Sequence, residues 1–444
     1  MTRIFKKMNR KKSQIKNIKD LCEYIWYLED KYDLLDLEIN GVHPWAAFRM
    51  DLYFEIGKKY EVFDKELSMK MSKTEKVINL FRLLQNVLSN YLFFNLQKVD
   101  VLVFSHPRSK LVENRLIDPY THYLVNNLIK NNISFLEFES PHNGKHLREK
   151  KLYKRYLDSI FILRNINNFF VKTNISQKNK TIIERLSKEI NRGTDNFLDI
   201  KKILISKTKK FIPTYSFYLK LLKRTQPKKI YLIVSYGRGE LIKAANDLNI
   251  EIIELQHGTF SKYHLGYSFP NNNNNNNNTY FPTKFYVWNK YWKNLINLPI
   301  HLDNVIISPF QYLEIEKKKY TYIKKEKNSL LILSQGGITE SILSRIIENN
   351  TYFQKFNITF KLHPNEYHMI SKYKNLIYLQ KKYNAKVVTN IDLYEYLAKS
   401  EYQAGVFSTS LYEGVEFNCK TILLDVPGIE YMDKFIENYN PIII

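Results

Sequence analysis

The spacing of apolar residues changes near residue 99 and divides the first half of the chain into two kinds of structure. Between residues 15 and 98, apolar side chains recur every three or four positions, which predicts helices. From residue 99 onward they cluster in short runs, at 99–104 and 133–138, with helical spacing at 120–131 between them. A strand, a helix and a second strand in this order predict the beginning of a parallel sheet.

Residues 145–228 are basic and helical in pattern, and no clear strand is visible among them. Short apolar runs then return, first at residues 230–235 and then, after a helical stretch at 241–248, at three further places. These later strands are predicted at residues 250–255, 285–288 and 305–308. Short, wholly apolar strands that alternate with helices are typical of a parallel sheet covered on both faces.

A charged stretch without apolar periodicity, residues 314–328, separates this series from a second one. The second series predicts five strands, at residues 330–334, 358–362, 386–389, 403–407 and 421–425. We therefore predict an α/β protein with two Rossmann-like, doubly wound lobes of parallel sheet. The predicted parts are an N-terminal helical segment that packs on the first lobe (1–98), a first lobe (99–313) with a helical insertion (145–228), and a second lobe (314–444).

The composition of the 444 residues fits a folded protein in a reducing compartment. Hydrophobic residues make up 44% of the chain, enough for sizeable cores. Cys22 and Cys419 are too far apart in the sequence to indicate a disulfide framework or a zinc cluster. No apolar stretch approaches the ~20 residues of a membrane span, and residues 1–20 lack the apolar run of a secretion signal. We expect a cytoplasmic protein that works at a membrane only as a peripheral protein on its inner face.

The chain carries 68 Lys and Arg against 44 Asp and Glu, a formal net charge of +24. Such an excess favours polyanionic partners, such as phosphorylated substrates, anionic lipid or nucleic acid, although a composition rich in Lys, Asn and Ile also accompanies AT-rich genomes. Residues 201–229 interleave Lys with aromatic and aliphatic residues, a pattern that suits an anionic membrane surface as well as a solvated helix face. The sequence contains no nucleic-acid recognition motif, so we expect no specific nucleic-acid partner.

Polar clusters stand at the carboxyl ends of several predicted strands, where parallel sheets bind their ligands. In the first lobe, the candidate catalytic residues are His106, Asp118, Glu240 and His257. His257 leads because it lies beside Gly258 directly after a strand, and because an imidazole that titrates near neutral pH can take a proton from an acceptor hydroxyl. The alternative is that His257 only bonds the loop that follows it.

The second lobe carries the candidate donor-binding residues. These are Gly336, Gly337, His363, Pro364, Ser408, Thr409, Ser410 and Glu413. A histidine directly after a strand, as His363 is, either donates a ring N–H to a phosphate or caps the strand end. The hydroxyls at 408–410 precede a predicted helix, where they act as N-caps or, with the free N–H groups, as an anion site. In the first turn of that helix, Glu413 suits either the helix dipole or a pair of ribose hydroxyls.

Metal-binding patterns are missing from the sequence. It has no paired histidines with a carboxylate at metal spacing, no Asp-x-Asp at a strand end, no Walker-type loop and no dinucleotide fingerprint. We therefore expect activity without a metal or another cofactor.

The order of the polar motifs resembles that of a known group of enzymes. Capsule and lipopolysaccharide glycosyltransferases of GT-B fold carry motifs that look like Leu-Gln-His-Gly-Thr at 255–259, Lys-Leu-His-Pro at 361–364, Phe-Ser-Thr-Ser-Leu-Tyr-Glu-Gly at 407–414 and Lys-Thr-Ile-Leu-Leu-Asp-Val-Pro at 420–427. The His-Pro pair and the Ser/Thr cluster are similar to the donor motifs of bacterial sialyltransferases and Kdo transferases. The His-Gly-Thr motif is also similar to that of CDP-glycerol glycerophosphotransferases.

This resemblance implies two lobes that face a cleft, and an inverting transfer that needs no metal. The donor would be a CMP-sugar of sialic acid or Kdo type, whose CMP part is held by the His-Pro and Ser/Thr motifs. The acceptor would be a glycan or lipid-linked glycan of capsule or lipopolysaccharide synthesis. The paired acidic motif of the polysialyltransferases has no clean counterpart here, which leaves the identity of the donor open.

Three other functions stay open at this point. The first is transfer of a polyol phosphate from a CDP-glycerol-type donor. The second is epimerisation of a sugar nucleotide, since some epimerases carry a His-Pro-Asn like that at 363–365, although Ser408 to Ser410 stand where a Gly-Gly loop is expected. The third, which rests on charge alone, is a nucleic-acid-binding protein without catalytic activity.

Overall fold

The chain forms a group of N-terminal helices and two parallel β-sheets in the computed structural model. The structure describes residues 15–63, 73–89, 93, 95–141, 145–166, 171–193, 196–270, 278–295 and 297–444. The two sheets confirm the predicted α/β fold with two Rossmann-like lobes.

The N-terminal segment is helical where the structure describes it. Its helices are α1 (Ile18–Tyr32), α2 (Pro44–Ala47), α3 (Arg49–Lys59) and α4 (Lys73–Ser89). The side chain of Asn17 caps α1 by accepting a hydrogen bond from the backbone N–H of Asp20 (2.9 Å). Its buried face includes Cys22, whose thiol donates to the carbonyl of Tyr263 in the first lobe (3.1 Å). The helical segment therefore packs on the first lobe.

The first lobe is built on seven parallel strands in the order β5-β4-β1-β6-β7-β8-β9, beside a small antiparallel hairpin, β2–β3. The strands are β1 (Val101–Ser105), β2 (Lys110–Val112), β3 (Arg115–Ile117), β4 (Phe135–Glu139), β5 (Lys154–Tyr156), β6 (Lys229–Leu232), β7 (Glu251–Leu255), β8 (Lys284–Val287) and β9 (Val305–Ile307). Val101 of β1 pairs with Phe135 on one side and Lys229 on the other. All five residues of β1 are buried, which explains why the first four of them are apolar.

Helices cover both faces of this sheet. They are α5 (His122–Lys130), α6 (Asp158–Ile166), α7 (Gln177–Asn191), α8 (Ile200–Thr225), α9 (Gly239–Asp247) and α10 (Lys290–Lys293). The longest, α8, buries Leu204, Phe211 and Leu221 against the core. The apolar residues that interleave with lysines after residue 201 therefore face the protein interior, and Lys201, Lys202 and Lys223 are exposed.

The prediction that residues 145–228 contain no strand is wrong. Lys154 to Tyr156 form β5, which pairs in parallel with β4 at the edge of the sheet. The sequence Lys-Arg-Tyr lacks the apolar residues by which a buried strand is predicted. Lys154 is buried because it forms ion pairs, with its Nζ 3.4 Å from a carboxylate oxygen of Glu139 and 3.9 Å from one of Glu137. Charge pairing thus replaces hydrophobic burial at this edge.

The second lobe is built on six parallel strands in the order β12-β11-β10-β13-β14-β15, one more than predicted. The strands are β10 (Glu326–Leu333), β11 (Asn357–Lys361), β12 (Lys386–Val388), β13 (Ser400–Gly405), β14 (Lys420–Leu423) and β15 (Ile442–Ile443). The helices from the end of the first lobe onward are α11 (Gln311–Lys318), α12 (Thr339–Glu348), α13 (Asn350–Phe353), α14 (Lys374–Tyr383), α15 (Leu393–Lys399), α16 (Thr409–Glu416) and α17 (Asp433–Tyr439). The expected irregular linker at 314–328 is thus partly helix α11 and partly the start of β10.

The two lobes share an apolar core on one side of the cleft. The rings of Trp292 in the first lobe and Tyr412 in the second lie 4.6 Å apart, and Tyr412 also contacts Phe435 of α17. Near the N-terminus of α17, the carboxylate of Asp433 pairs with Lys262 of the first lobe (2.8 Å). The C-terminal helix therefore ties the second lobe to the first. No helix within the described ranges has both the length and the apolar character to cross a membrane.

Candidate functional site

Loops from the two sheets meet where the strands of both lobes end. The backbone N–H of Thr259, after β7, donates to Oγ1 of Thr409 at the start of α16 (3.3 Å). A Cβ at Gly258 would lie 3.2 Å from the same oxygen, so a side chain here would press on the second lobe. The loop after β7 and the N-terminus of α16 therefore form the floor of a cleft between the lobes.

His106 and His257 come together on the first-lobe side of this cleft. Their rings are stacked with centroids 6.0 Å apart, and the ring of Tyr120 stands edge-on to both, at 5.6 and 6.3 Å. Nδ1 of His106 accepts a hydrogen bond from the backbone N–H of Arg108 (3.0 Å), which holds the loop after β1 in place. The structure thus brings together two of the four predicted catalytic residues.

The role of His257 as a general base stays a prediction, and the surroundings of its ring affect its basicity. Burial, together with the nearby charges of His106, His264 and Arg108, lowers the pKa of His257 to about 3. The imidazole is therefore neutral throughout the physiological range and able to accept a proton.

Asp118 and Glu240, the other two predicted catalytic residues, are buried. The carboxylate of Asp118 accepts hydrogen bonds from the backbone N–H groups of His106 (2.8 Å) and Tyr120 (3.0 Å) and from the hydroxyl of Thr121 (2.7 Å). Burial raises the pKa of Asp118, while the charge of Arg148 opposes this shift. These contacts position His106, and a role for Asp118 as a base stays a prediction. Glu240 lies in the first turn of α9.

Three cations that are not among the predicted site residues lie near the mouth of the cleft. Arg108 and Lys110 of the first lobe are exposed, and Lys361 at the end of β11 is partly buried. Burial and the positive charge of Lys110 lower the pKa of Lys361 to about 8, while Glu413 acts in the opposite direction. Lys110 belongs to the first lobe and Lys361 to the second, so these two charges act on each other between the lobes. Two of these cations could have been inferred from the sequence, because they lie close to predicted site residues. Arg108 follows His106 by two residues, and Lys361 precedes His363 by two.

His363 lies beside the Gly336–Gly337 turn on the second-lobe side. A Cβ at Gly336 would lie 3.8 Å from Nδ1 of His363, and Gly337 has a φ of 89°, a conformation that favours glycine. The backbone N–H of His363 donates to Oγ of Ser334 (2.7 Å). Pro364 starts a 3₁₀ helix, Pro364–Lys372. Burial lowers the pKa of His363.

A buried carboxylate below His363 fixes the shape of this loop. Glu366 accepts hydrogen bonds from the hydroxyls of Ser334 (2.9 Å), Thr339 (3.0 Å) and Tyr373 (2.8 Å). Three donors on one buried carboxylate stabilise a single arrangement of the loops after β10 and β11. The sequence analysis missed Glu366, which follows His363 by only three residues.

The hydroxyl cluster at 408–410 begins α16, as predicted. The side chain of Ser408 caps the helix by accepting from the backbone N–H of Ser410 (3.3 Å), while Thr409 reaches the first lobe. Glu413 lies in the second turn of α16 rather than the first, and accepts from the hydroxyl of Tyr394 (3.1 Å). Burial raises the pKa of Glu413, and the charges of Lys110, Arg108 and Lys361 oppose that shift, so this carboxylate also faces the cationic mouth.

Behind His257 lies a buried carboxyl that was not predicted. Glu254 of β7 accepts from the hydroxyl of Tyr267 and from the backbone N–H of Ser235 (3.2 Å). Burial raises the pKa of Glu254 to about 7. The ring of Tyr267 lies 6.4 Å from that of His257 and 4.8 Å from that of His264. Glu254 is therefore positioned one side chain away from the predicted base.

Within the described part of the chain, no group of three or more His, Cys, Asp or Glu side chains is arranged to hold a metal ion. The independence from metals stays a prediction. The polar side chains of the cleft are instead three cations, three histidines and one carboxylate, in an arrangement suited to a polyanion. They are Arg108, Lys110, Lys361, His106, His257, His363 and Glu413.

No protein-family model matches the sequence, and no curated protein matches it. Among solved structures, the chain is similar to UDP-GlcNAc 2-epimerase from Methanocaldococcus jannaschii, with 12% identity and a TM-score of 0.44 over 78% of this chain and 89% of that one. It is also similar to UDP-GlcNAc 2-epimerase from Neisseria meningitidis bound to UDP-GlcNAc, with 15% identity and a TM-score of 0.40 over 74% and 82%. It is similar as well to MurG from Acinetobacter baumannii, with 9% identity and a TM-score of 0.40 over 78% of this chain and 86% of that one. Likeness at this level says nothing about activity, and the fold assignment rests on the two sheets of this chain.

Proposed function

We propose that the chain is a glycosyltransferase that binds a nucleotide sugar between its two lobes. The observation that carries the proposal is the junction of strand-end loops from the two lobes, where the backbone N–H of Thr259 donates to Oγ1 of Thr409 (3.3 Å) and the rings of His106 and His257 stack 6.0 Å apart. The charges of Lys110, Arg108 and Lys361 all act on Glu413 of the same α16 helix. Like charges held together are costly, and a bound polyanion removes that cost. The phosphates of a nucleotide sugar supply such a charge.

The donor binds against the second lobe. Lys361 and His363 follow β11, and the N-terminus of α16 presents Ser408 and Thr409 to the same space. Phosphate oxygens accept hydrogen bonds from such N–H and hydroxyl groups. A Cβ at Gly336 would lie 3.8 Å from Nδ1 of His363, so the glycine leaves room there for a substrate to approach the backbone.

The acceptor binds against the first lobe and reacts through a hydroxyl group. The neutral imidazole of His257 takes the proton of that hydroxyl as its oxygen attacks the anomeric carbon. The bond between this carbon and the donor phosphate breaks, and the electron pair leaves with the phosphate. Arg108, Lys110 and Lys361 stabilise the charge that develops there.

The number of cations bears on the identity of the donor. The sequence resemblance favours a CMP-sugar, whose leaving group carries one phosphate. Three cations and His363 match the charge of a nucleoside diphosphate better than that of a single phosphate. We therefore propose a nucleoside diphosphate sugar as the first donor class to test, with CMP-sugars and CDP-glycerol-type donors next. We propose that the acceptor is a growing or lipid-linked glycan of the bacterial surface, and that the protein binds it at the inner face of the membrane.

The direct test is transfer of radiolabelled sugar from a panel of nucleotide sugars to lipid-extracted and soluble glycan acceptors. Release of free nucleotide that depends on the acceptor, and that is lost in a Lys110→Gln, Lys361→Gln double variant, supports the proposal. A double variant that transfers sugar at the wild-type rate would contradict it.

Sugar-nucleotide epimerisation is the second candidate, because Glu413 lies among the cleft cations with a raised pKa. A carboxyl group of that kind can exchange a proton with a sugar carbon. Incubation with the sugar nucleotide alone distinguishes the two functions. An epimerase changes the sugar or incorporates deuterium from solvent without any acceptor, whereas a transferase does neither.

A further inference from the structure

Helix α4 turns its apolar side away from the protein. Six large apolar residues on it are exposed, including Phe81 at 69% and Leu88 at 84%. They occupy one continuous face, since residues 77, 81, 84 and 88 repeat at intervals of four, three and four, with Ile78 and Leu80 at the sides. Between residues 77 and 89, Arg82 is the only charged residue.

The polar side of the same helix is anchored inward. Asn86 donates to Oδ1 of Asp158 (3.0 Å), a buried residue at the start of α6. The other oxygen of Asp158 pairs with Nε2 of His146 (2.7 Å). A buried hydrogen-bond network thus fixes the orientation of α4 and keeps its apolar face outward. An amphipathic helix that presents its apolar face to solvent is typical of a site that binds a protein or a membrane through that face.

Basic residues lie next to this face. Four residues beyond the end of α4, the ring of Phe93 packs under the charged groups of Lys220 (5.3 Å) and Arg224 (5.1 Å) at the end of α8. Residues 200–239, which include α8, contain eleven Lys or Arg and no Asp or Glu. The occupant of the apolar face is therefore bordered by positive charge.

We propose that α4 docks this protein on an anionic lipid bilayer, with the side chains of Val77, Phe81, Leu84 and Leu88 in the boundary between headgroups and acyl chains. Apolar insertion beside clustered cations is the combination that binds anionic membranes at the interface. This surface lies outside the cleft, so it can be tested without donor or acceptor. It deepens the proposed function by naming the part of the chain that contacts the membrane, and the vesicle test can fail while sugar transfer is retained.

The test is flotation of the full chain with vesicles of phosphatidylcholine alone and of phosphatidylcholine and phosphatidylglycerol in equal parts. We expect strong binding to the anionic vesicles and weak binding to the neutral ones. The variant F81S/L88S should lose about tenfold or more of that affinity, because each side chain loses its transfer from water. K220Q/R224Q should weaken binding to anionic vesicles and reduce its dependence on salt.

Phe197→Ser is the matched control, since Phe197 is 73% exposed and lies at the opposite end of α8 from Phe93. It should bind vesicles like the wild type, and both Phe variants should keep the wild-type melting temperature. Equal binding by F81S/L88S and the wild type would overturn the proposal. So would a dimer in solution that F81S/L88S dissolves, because the spacing of residues 77, 81, 84 and 88 would then serve a second copy of α4.

Discussion

Replacing Lys361 by methionine should stabilise the ligand-free protein and weaken its binding of nucleotides. The pKa of Lys361 falls from 10.5 to about 8, mainly by burial and then by the charge of Lys110. At ~1.4 kcal/mol per pKa unit, holding this ammonium group charged at pH 7 costs up to about 3 kcal/mol. Methionine has nearly the same length and no charge, so the variant avoids that cost. The substitution removes one long hydrogen bond, which Nζ of Lys361 donates to the carbonyl of Leu362 (3.5 Å).

The expected gain is measurable by thermal unfolding. For a chain of this length that unfolds as one unit, ~3 kcal/mol corresponds to a rise of about 3 °C in melting temperature. The sign of the pH dependence follows from the lowered pKa of Lys361 in the folded state. Between about pH 8 and 10.5 the unfolded chain holds more protons, so the wild type gains stability relative to the variant as the pH rises through this range. Below about pH 8 the difference is constant.

Nucleotide affinity is the second measurement on the same variant. If Lys361 holds a phosphate, Lys361→Met should bind nucleotide at least about tenfold more weakly, as expected for the loss of a charge-assisted hydrogen bond. Lys361→Arg, which keeps the charge, is the control and should retain most of the affinity. A methionine variant that is less stable than the wild type, or that is more stable and binds nucleotide equally well, would show that Lys361 does not hold a phosphate at a cost in stability.

Three other changes test separate parts of the account. His257→Ala should lower the maximal rate by about 10²- to 10⁴-fold with donor affinity nearly unchanged, whereas a variant that keeps its rate and loses affinity would make His257 a loop anchor. Glu254→Gln should remove a pH dependence of stability. Because the pKa of Glu254 is about 7 in the folded protein, the wild type should lose up to ~3 kcal/mol of stability as the pH rises from about 4.5 to 7. Equal melting curves of the two proteins at pH 5 and at pH 8 would contradict this. Activity should survive EDTA, and loss that magnesium or manganese restores would show that a metal takes part.

The strands that carry the cleft were predictable because they are buried on both faces. Every residue of β1 is buried, and the apolar run of β7 is broken only by glutamates, so the sequence pattern indicates both strands directly. β5 escaped prediction because ion pairs, rather than apolar contacts, bury Lys154. The linker was predicted too long because its charged residues lie on α11, where Glu316 is buried and pairs with Lys319 (2.8 Å).

The site was only partly predictable, for a different reason. Motifs directly after strands, such as those of His257 and His363, are visible in sequence because the sheet places them. The pairing of Lys110 with Lys361 depends on how the two lobes face each other, which no local pattern encodes. The low pKa of His257 depends in the same way on His106 and Arg108, which are more than a hundred residues away in sequence. Glu366 and Glu254 were missed because a buried carboxylate has no signature apart from its tertiary partners.

Calorimetric titration of CMP, CDP, UDP and GDP into the wild type and His363→Ala measures whether a nucleotide binds between the lobes. We predict that at least one nucleoside diphosphate binds more tightly than CMP. We also predict that His363→Ala weakens this binding by about tenfold or more while its melting temperature stays that of the wild type. Unchanged nucleotide affinity in His363→Ala, or no binding of any of the four nucleotides to the wild type, would contradict the account.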